Sequence, residues 1–347
     1  MIRYSAAALQ DFALRLFTAA GMTETLAAPV ARYLVEADLM GHDTHGLALA
    51  PWYLSDIADG HLRCDGKARV LRDKGAALAW DGCHLPGAFL VVQAMDLAID
   101  RARQFGTCTI AVGGAHHIGA LAAYLPRATD LGLMVSLASS SPNAASVAPF
   151  GGVSAVFTPN PVAHGIPTPK GPILIDISAS ITTNNMSQRL IREGRIYPAA
   201  WVLDAAGNPS RDPAVLTQGG SLLPTGGLDH GQKGYGMALH VEALTQALSG
   251  IGRADQPGGT TCAFTLQVWD PEAFGGTEAF RRQTGWLAGA CLAAPQGPGG
   301  PPVRLPGQAA LARKAAALAD GVPLYPSILP ALTDHAKGLG VALPMPL

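Results

Sequence analysis

The sequence predicts an α/β protein with helical ends around a mixed centre, from three observations. Apolar residues recur at helical spacing before Gly41 and again after Gly307. Between them, strand-length apolar runs alternate with helical stretches, each closed by glycine. No strict G-x-G-x-x-G stands between a strand and a helix, so a Rossmann sheet is not expected.

Taken in order, Ser5 caps a first helix whose Leu9, Phe12, Ala13, Leu16 and Phe17 form one apolar face, stopped by Gly21. A second helix carries Leu26, Val30, Leu34 and Ala37 and ends at Met40 before Gly41; Pro29 fits it only in the first turn. Pro86 to Gln104 is helical, closed by Gly106, and Thr107 to Val112 is a strand. A turn through Gly113-Gly114-Ala115-His116-His117-Ile118-Gly119 enters a helix from Ala120 to Leu131, kinked at Pro126. Strands follow at Leu133 to Ala138 and Ile173 to Ile177. Gly226 to Gly234 opens a helix with the stripe Met237, Val241, Leu244 and Leu248, ended by Gly250. Cys262, Phe264, Leu266 and Val268 alternate as in a half-buried strand, and Gln308 to Leu347 returns to helix. The two helical ends are expected to pack together as one lobe, residues 1–72 with 303–347, around an α/β lobe at 73–302.

Composition narrows the function. With 24 Lys plus Arg against 25 Asp plus Glu, the net charge of -1 argues against a nucleic-acid binder. Only 14% of residues are charged and 48% are hydrophobic, with mean hydropathy +0.22. No run approaches the ~18 apolar residues of a membrane span, so no membrane partner is expected, and the apolar surplus points to a homo-oligomer. The N-terminus lacks the pattern of a signal peptide, and five scattered cysteines form neither a disulfide frame nor a zinc motif. The expectation is a cytoplasmic protein with no metal.

Two histidine clusters carry the chemistry. His42-Asp43-Thr44-His45-Gly46 follows a helix stop. A ring near pKa ~6.5 trades protons at neutral pH, and Thr44 stands ready to hydrogen-bond beside His45. A merely structural histidine fits the spacing as well, and a metal-dependent lyase or hydrolase would need a third ligand. His116-His117 lies on a glycine-flanked turn, where free backbone N–H groups attract phosphate or carboxylate, or where two histidines are simply exposed. Lys233 sits at a helix start against the helix dipole, as a cation that meets a bound anion would, or as a solvated lysine.

Taken together, these segments resemble the type 2 malate/L-lactate dehydrogenase family. The motifs are Gly41-His42-Asp43-Thr44-His45-Gly46, His116-His117-Ile118-Gly119, Asn160-Pro161 and Lys233-Gly234-Tyr235-Gly236. Pro149-Phe150-Gly151-Gly152 and Asp176-Ile177-Ser178-Ala179-Ser180 also fit, and the match runs from about Ser5 to Gly307. The family includes malate, sulfolactate and ureidoglycolate dehydrogenases and piperideine-2-carboxylate reductase.

The resemblance implies a non-Rossmann α/β fold of the malate/L-lactate (sulfolactate) dehydrogenase type, a homodimer, and NAD or NADP as cofactor. It implies a small-molecule substrate, a 2-hydroxy or 2-oxo acid or a cyclic imine, in a pocket between the lobes. By motif position His45 is the proton donor and acceptor, Thr44 assists, and His117 serves the acid/base role or the cofactor. Cofactor contacts carry over to His117, Ile118, Gly119, Ser141, Asn160, Asp176, Ile177, Ser178, Gln232, Lys233 and Gly234. Three departures stand out. Many members place an arginine four residues beyond the catalytic histidine, where this chain has Leu49. Imine reducers have an aspartate where this chain has Met186, and Gln232 replaces the usual histidine before Lys233.

Overall fold

The structure, a computed structural model, describes residues 2–347. Its strands are β1 (Arg3–Tyr4), β2 (Arg69–Asp73), β3 (Ala77–Asp81), β4 (Thr107–Ala115), β5 (Met134–Ser140), β6 (Pro161–Ile166), β7 (Ile173–Ser178), β8 (Val202–Leu203), β9 (Pro209–Ser210), β10 (Ser221–Leu222), β11 (Cys262–Trp269) and β12 (Val322–Pro323). Its helices are α1 (Ala6–Ala19), α2 (Glu24–Met40), α3 (Ala50–Ala58), α4 (Gly87–Phe105), α5 (Pro126–Thr129), α6 (Asn184–Arg192), α7 (Gly227–His230), α8 (Gln232–Glu242), α9 (Thr277–Leu292), α10 (Gln308–Asp320) and α11 (Ile328–Gly338). A seven-stranded sheet in the order β2-β3-β4-β11-β5-β6-β7 forms the centre. Only β3 and β4 run parallel, joined by α4 as the crossover; every other pair is antiparallel. The sheet is open, and its order is not that of a doubly wound nucleotide-binding sheet.

β1 pairs with β12, and α10 packs on α2 with the Lys314 ammonium on Glu36. Arg313 donates to the carbonyl of Met40 at 3.1 Å, so a cation sits at the C-terminal end of α2 where the dipole favours it. Ser5 caps α1, and all five residues of its apolar face are buried. These helices share one large core with β3, β4, β5 and β11. A second, smaller core of Val147, Phe157, Tyr197, Val202 and Leu222 lies under the three-stranded sheet β10-β8-β9.

Several elements differ from the sequence reading. Pro29 falls in the second turn of α2, where its missing N–H leaves the carbonyl of solvent-exposed Thr25 without a helical partner. The helix expected over Ala120 to Leu131 is two short pieces, a 3-10 turn at Leu121–Tyr124 and α5, because Pro126 begins a new helical turn and donates no hydrogen bond to the old one. β4 runs on through Gly113 and Gly114 to Ala115, paired with β11, and a side chain at 113 would strike Ile251. The stripe ending in Leu248 fails because α8 continues into a π turn at Ala243–Ala247. The wider turn shifts the buried face to Thr245 and Gln246 and leaves Leu248 exposed.

Candidate active site

The first histidine cluster is held by the end of α2. Gly41 adopts φ +82°, and the N–H of His42 reaches back to the carbonyl of Ala37 at 2.8 Å, closing the helix and turning the chain outward. Beneath the turn, Asp38 is buried. Its Oδ2 accepts the N–H of Leu47 at 2.8 Å, while Oδ1 has no partner. A Cβ on Gly46 would lie 2.1 Å from Asp38 Oδ1, so only glycine lets the loop close over this carboxyl. Burial raises the Asp38 carboxyl to about 8, with the Leu47 N–H opposing and Asp43 adding to the rise. It is therefore mostly a neutral acid at pH 7. From the other side, Asn185 on α6 donates to the carbonyl of Thr44 at 3.2 Å, and Arg189 grips Asp43 at 3.1 Å.

Within this frame His45 Nδ1 and Thr44 Oγ1 are 2.8 Å apart. With Nδ1–H donating to the hydroxyl, Nε2 is left as the free base. Burial lowers the His45 pKa to about 4, with His42 adding to the fall and Asp43 opposing it, so the ring is neutral at pH 7.

The second cluster faces the first. The His45 and His117 ring centroids are 6.0 Å apart and their planes within 28°. His117 Nδ1 accepts the N–H of Gly119 at 3.3 Å and lies 2.8 Å from the Tyr53 hydroxyl. A nitrogen that accepts a backbone N–H carries no proton, so neutral His117 holds its hydrogen on Nε2. Burial, with His45 and His116 beside it, holds its pKa well below the ordinary histidine range.

His116 turns the opposite way. It is fully buried, and its Nε2 is 2.8 Å from Asp56 Oδ2. Burial lowers the His116 pKa despite Asp56. Burial tends to raise Asp56, but hydrogen bonds from His116 and Thr260 bring it below the usual carboxylate range. The pair is thus a neutral imidazole donating to a carboxylate. Neither histidine of the pair is an exposed turn residue.

The remaining predicted residues continue from this corner along β7. Asp176 Oδ2 accepts the N–H of Ala122 at 2.9 Å, capping the turn that follows Gly119. Asp176 keeps an edge exposed to water, and the protein packed around it raises its pKa while His42 opposes the rise. Ile177 is exposed beside it. The Ser178 carbonyl accepts the Thr225 hydroxyl at 2.9 Å, and the Thr225 carbonyl accepts the N–H of Gly234 at 3.1 Å. Gly234 is packed so tightly that a Cβ would meet Thr225 N at 2.3 Å and Ala179 O at 2.5 Å. That contact lays the first turn of α8 on the backbone after β7 and leaves Gln232 and Lys233 exposed. Ser141 heads a loop held by Arg253, which donates to the carbonyls of Pro142 and Ala144 and pairs with Glu242 at 3.0 Å.

Two of the expected cofactor contacts have buried side chains. The Asn160 side chain is 0% exposed and bonded to Thr158, Ala238 and Glu242, so it supports the Ser141 loop from within. The Ile118 side chain is likewise buried. Sequence reasoning also missed Asp38, Tyr53, Asp56 and Asn185. Asp38 left a signal, since it lies four residues after Leu34 beside the apolar stripe of α2. The others left none, because their partners are distant in sequence.

Among the described residues no three His, Cys, Asp or Glu side chains are grouped to hold a metal. The donor set from Asp176 to Lys233 instead suits a dinucleotide: a carboxylate for ribose hydroxyls, then a cation at a helix start for phosphate.

The profile of the malate/L-lactate dehydrogenase family matches residues 4–333. This chain belongs to that family. An L-lactate dehydrogenase of Cupriavidus necator is 30% identical over 353 residues, covering 99% of each chain. A Δ1-pyrroline-2-carboxylate/Δ1-piperideine-2-carboxylate reductase of Pseudomonas syringae is 34% identical over 70% of this chain and 69% of its own. The structure of malate dehydrogenase from Pyrococcus horikoshii superposes with TM-score 0.88 at 28% identity, covering 98% and 96% of the two chains. As a member of this family, the protein is an oxidoreductase of the hydroxy-acid dehydrogenase type.

Proposed function

We propose that the protein interconverts a 2-hydroxy acid and a 2-oxo acid with NAD or NADP, with His45 as proton acceptor and donor. The observation that carries this is the neutral, half-buried His45, bonded to Thr44 and stacked near His117, in the motif loop of the family. In the oxidising direction His45 Nε2 takes the hydroxyl proton. The Nδ1–H bond to Thr44 steadies the imidazolium that forms, and the same bond persists when Nε2 returns the proton to the oxygen of a reduced carbonyl. His117 presents Nε2–H to the site and is held in that tautomer by Gly119 and Tyr53.

The bound nicotinamide supplies hydride transfer. Asp176, Ser178, Gln232 and Lys233 would hold its ribose and phosphates, on the frame that Gly234 keeps close. Met186 in place of the imine reducers' aspartate favours the hydroxy acid over a cyclic imine.

The protein is a homodimer in this reading, supported by α9, on which only Ala288 is buried and Trp286 is 70% exposed. Five free cysteines fit a reducing compartment such as the cytoplasm. The test is NADH and NADPH oxidation with 2-oxo acids and cyclic imines, with product identification. Hydroxy acid as product supports the reading, and amine alone replaces it with imine reduction.

A further inference from the structure

We infer that Trp52 is a specificity residue that touches the substrate, and that this substrate is a 2-oxo acid with an apolar side chain, aryl or branched, rather than a second acid group. The inference rests on the hydroxy-acid reading above and deepens it.

Trp52 is 40% exposed at the start of α3, while its neighbours Tyr53 and Leu54 are buried. Its indole leans on the His117 ring at 5.2 Å and on His116 at 5.7 Å. His117 thus neighbours both the His45 ring and the half-exposed Trp52 indole. On α6, Met186 is 38% exposed in the first turn, next to the Asn185 that bonds the Thr44 carbonyl. Two large, exposed apolar side chains thus stand on elements that touch the histidine pair or the 42–46 loop itself.

The cations tell the same story by their commitments. Leu49, four residues beyond His45, is buried in the core. Among the described residues, Arg189 is the one guanidinium hydrogen-bonded to residues 42–46. Both its terminal nitrogens go to Asp43, and its face lies 4.5 Å over the Tyr325 ring. Neutral donors such as the His117 N–H serve one carboxylate; they do not neutralise two. A dicarboxylate or sulfonate would bring a second charge against indole and thioether, whereas an aryl or branched chain buries both.

The experiment compares kcat/KM for pyruvate, oxaloacetate, 3-sulfopyruvate, phenylpyruvate and 4-methyl-2-oxopentanoate, with wild type and with the Trp52→Ala and Trp52→Phe variants. Wild type is expected to prefer phenylpyruvate or 4-methyl-2-oxopentanoate to pyruvate and to both acidic substrates by about tenfold or more, the range a hydrophobic pocket supplies. Trp52→Ala is expected to lower the phenylpyruvate-to-pyruvate ratio about tenfold, mainly through KM, and Trp52→Phe to restore most of it. Preference for oxaloacetate or sulfopyruvate would overturn the inference and leave the hydroxy-acid reading intact. So would an equal loss for all substrates in Trp52→Ala, since the indole would then only support His117. A Trp52→Ala protein that loses its oligomeric state would assign the indole to a subunit contact and overturn it too. Turnover of none of the five would remove the underlying reading.

Discussion

The His45 corner and the Lys233 end are joined along β7, yet they are held in place by different means. The His45 loop stands on the large core and is fixed by side chains from far away in the sequence: Asp38 below, Tyr53 behind His117, Asn185 and Arg189 above. The Lys233 end stands beside the small core and is fixed by backbone meeting backbone, with Gly234 pressed on Thr225 and Ala179. In the function proposed above, the first arrangement places a proton-transferring ring and the second brings a helix start within reach of a charged ligand. Substitutions should therefore separate the two, with losses in kcat at one and in cofactor affinity at the other.

The largest effect is expected at the centre of the first region. His45→Ala should lower kcat at least 10²-fold while cofactor binding by fluorescence titration stays near wild type, because general acid–base catalysis contributes ~10²–10⁴. A loss under about threefold would remove His45 from the mechanism. Next, Gly234→Ala forces a methyl group into two backbone atoms that cannot rotate away. We expect about 3 kcal/mol of destabilisation, seen as a lower Tm, together with weakened cofactor binding. If the variant binds cofactor and melts like wild type, the close contact does not govern the Lys233 end.

Asp38→Ala leaves the buried Leu47 N–H without an acceptor, a cost of about 1–3 kcal/mol. It should lower kcat with little change in cofactor affinity, since it loosens only the His45 loop. The pH dependence sharpens this. The carboxyl of Asp38 is raised in the folded state, so its contribution to stability is present below the ordinary carboxylate range and is lost as pH rises through about 8. Asp38→Asn, which cannot ionise, should gain in Tm relative to wild type between pH 6 and 9. The histidines act with the opposite sign. His45, His116 and His117 are all lowered by burial, so their contribution is present above pH ~6.5 and is lost as pH falls below it, for His45 through about 4. The smallest effect belongs to the exposed cation: Lys233→Met should weaken cofactor binding by about three- to tenfold, a difference that high salt reduces. An unchanged dissociation constant would place Lys233 in solvent.

Much of this contrast was legible in the sequence wherever one element could be judged alone. The face of α1 follows from helical spacing, and Gly41 and Gly234 stand out beside the residues they position. What escaped needed a partner elsewhere. Nothing near Asn160 in the sequence announces that Glu242 bonds its side chain. The π turn after α8 hid its buried face, because a helical-wheel count assumes a constant turn. Tyr53 and Asp56 acquire meaning only when the fold brings His117 and His116 to them across about sixty residues.

The central claim, that this fold binds a nicotinamide dinucleotide for redox chemistry at His45, is tested most directly by titrating the purified protein with NADH and, separately, NADPH. Nicotinamide fluorescence and melting temperature are the readouts. At a hundredfold excess over its dissociation constant, one of the two should stabilise the fold by ~2.7 kcal/mol and raise Tm accordingly. A protein whose melting and nicotinamide signal respond to neither would contradict the account.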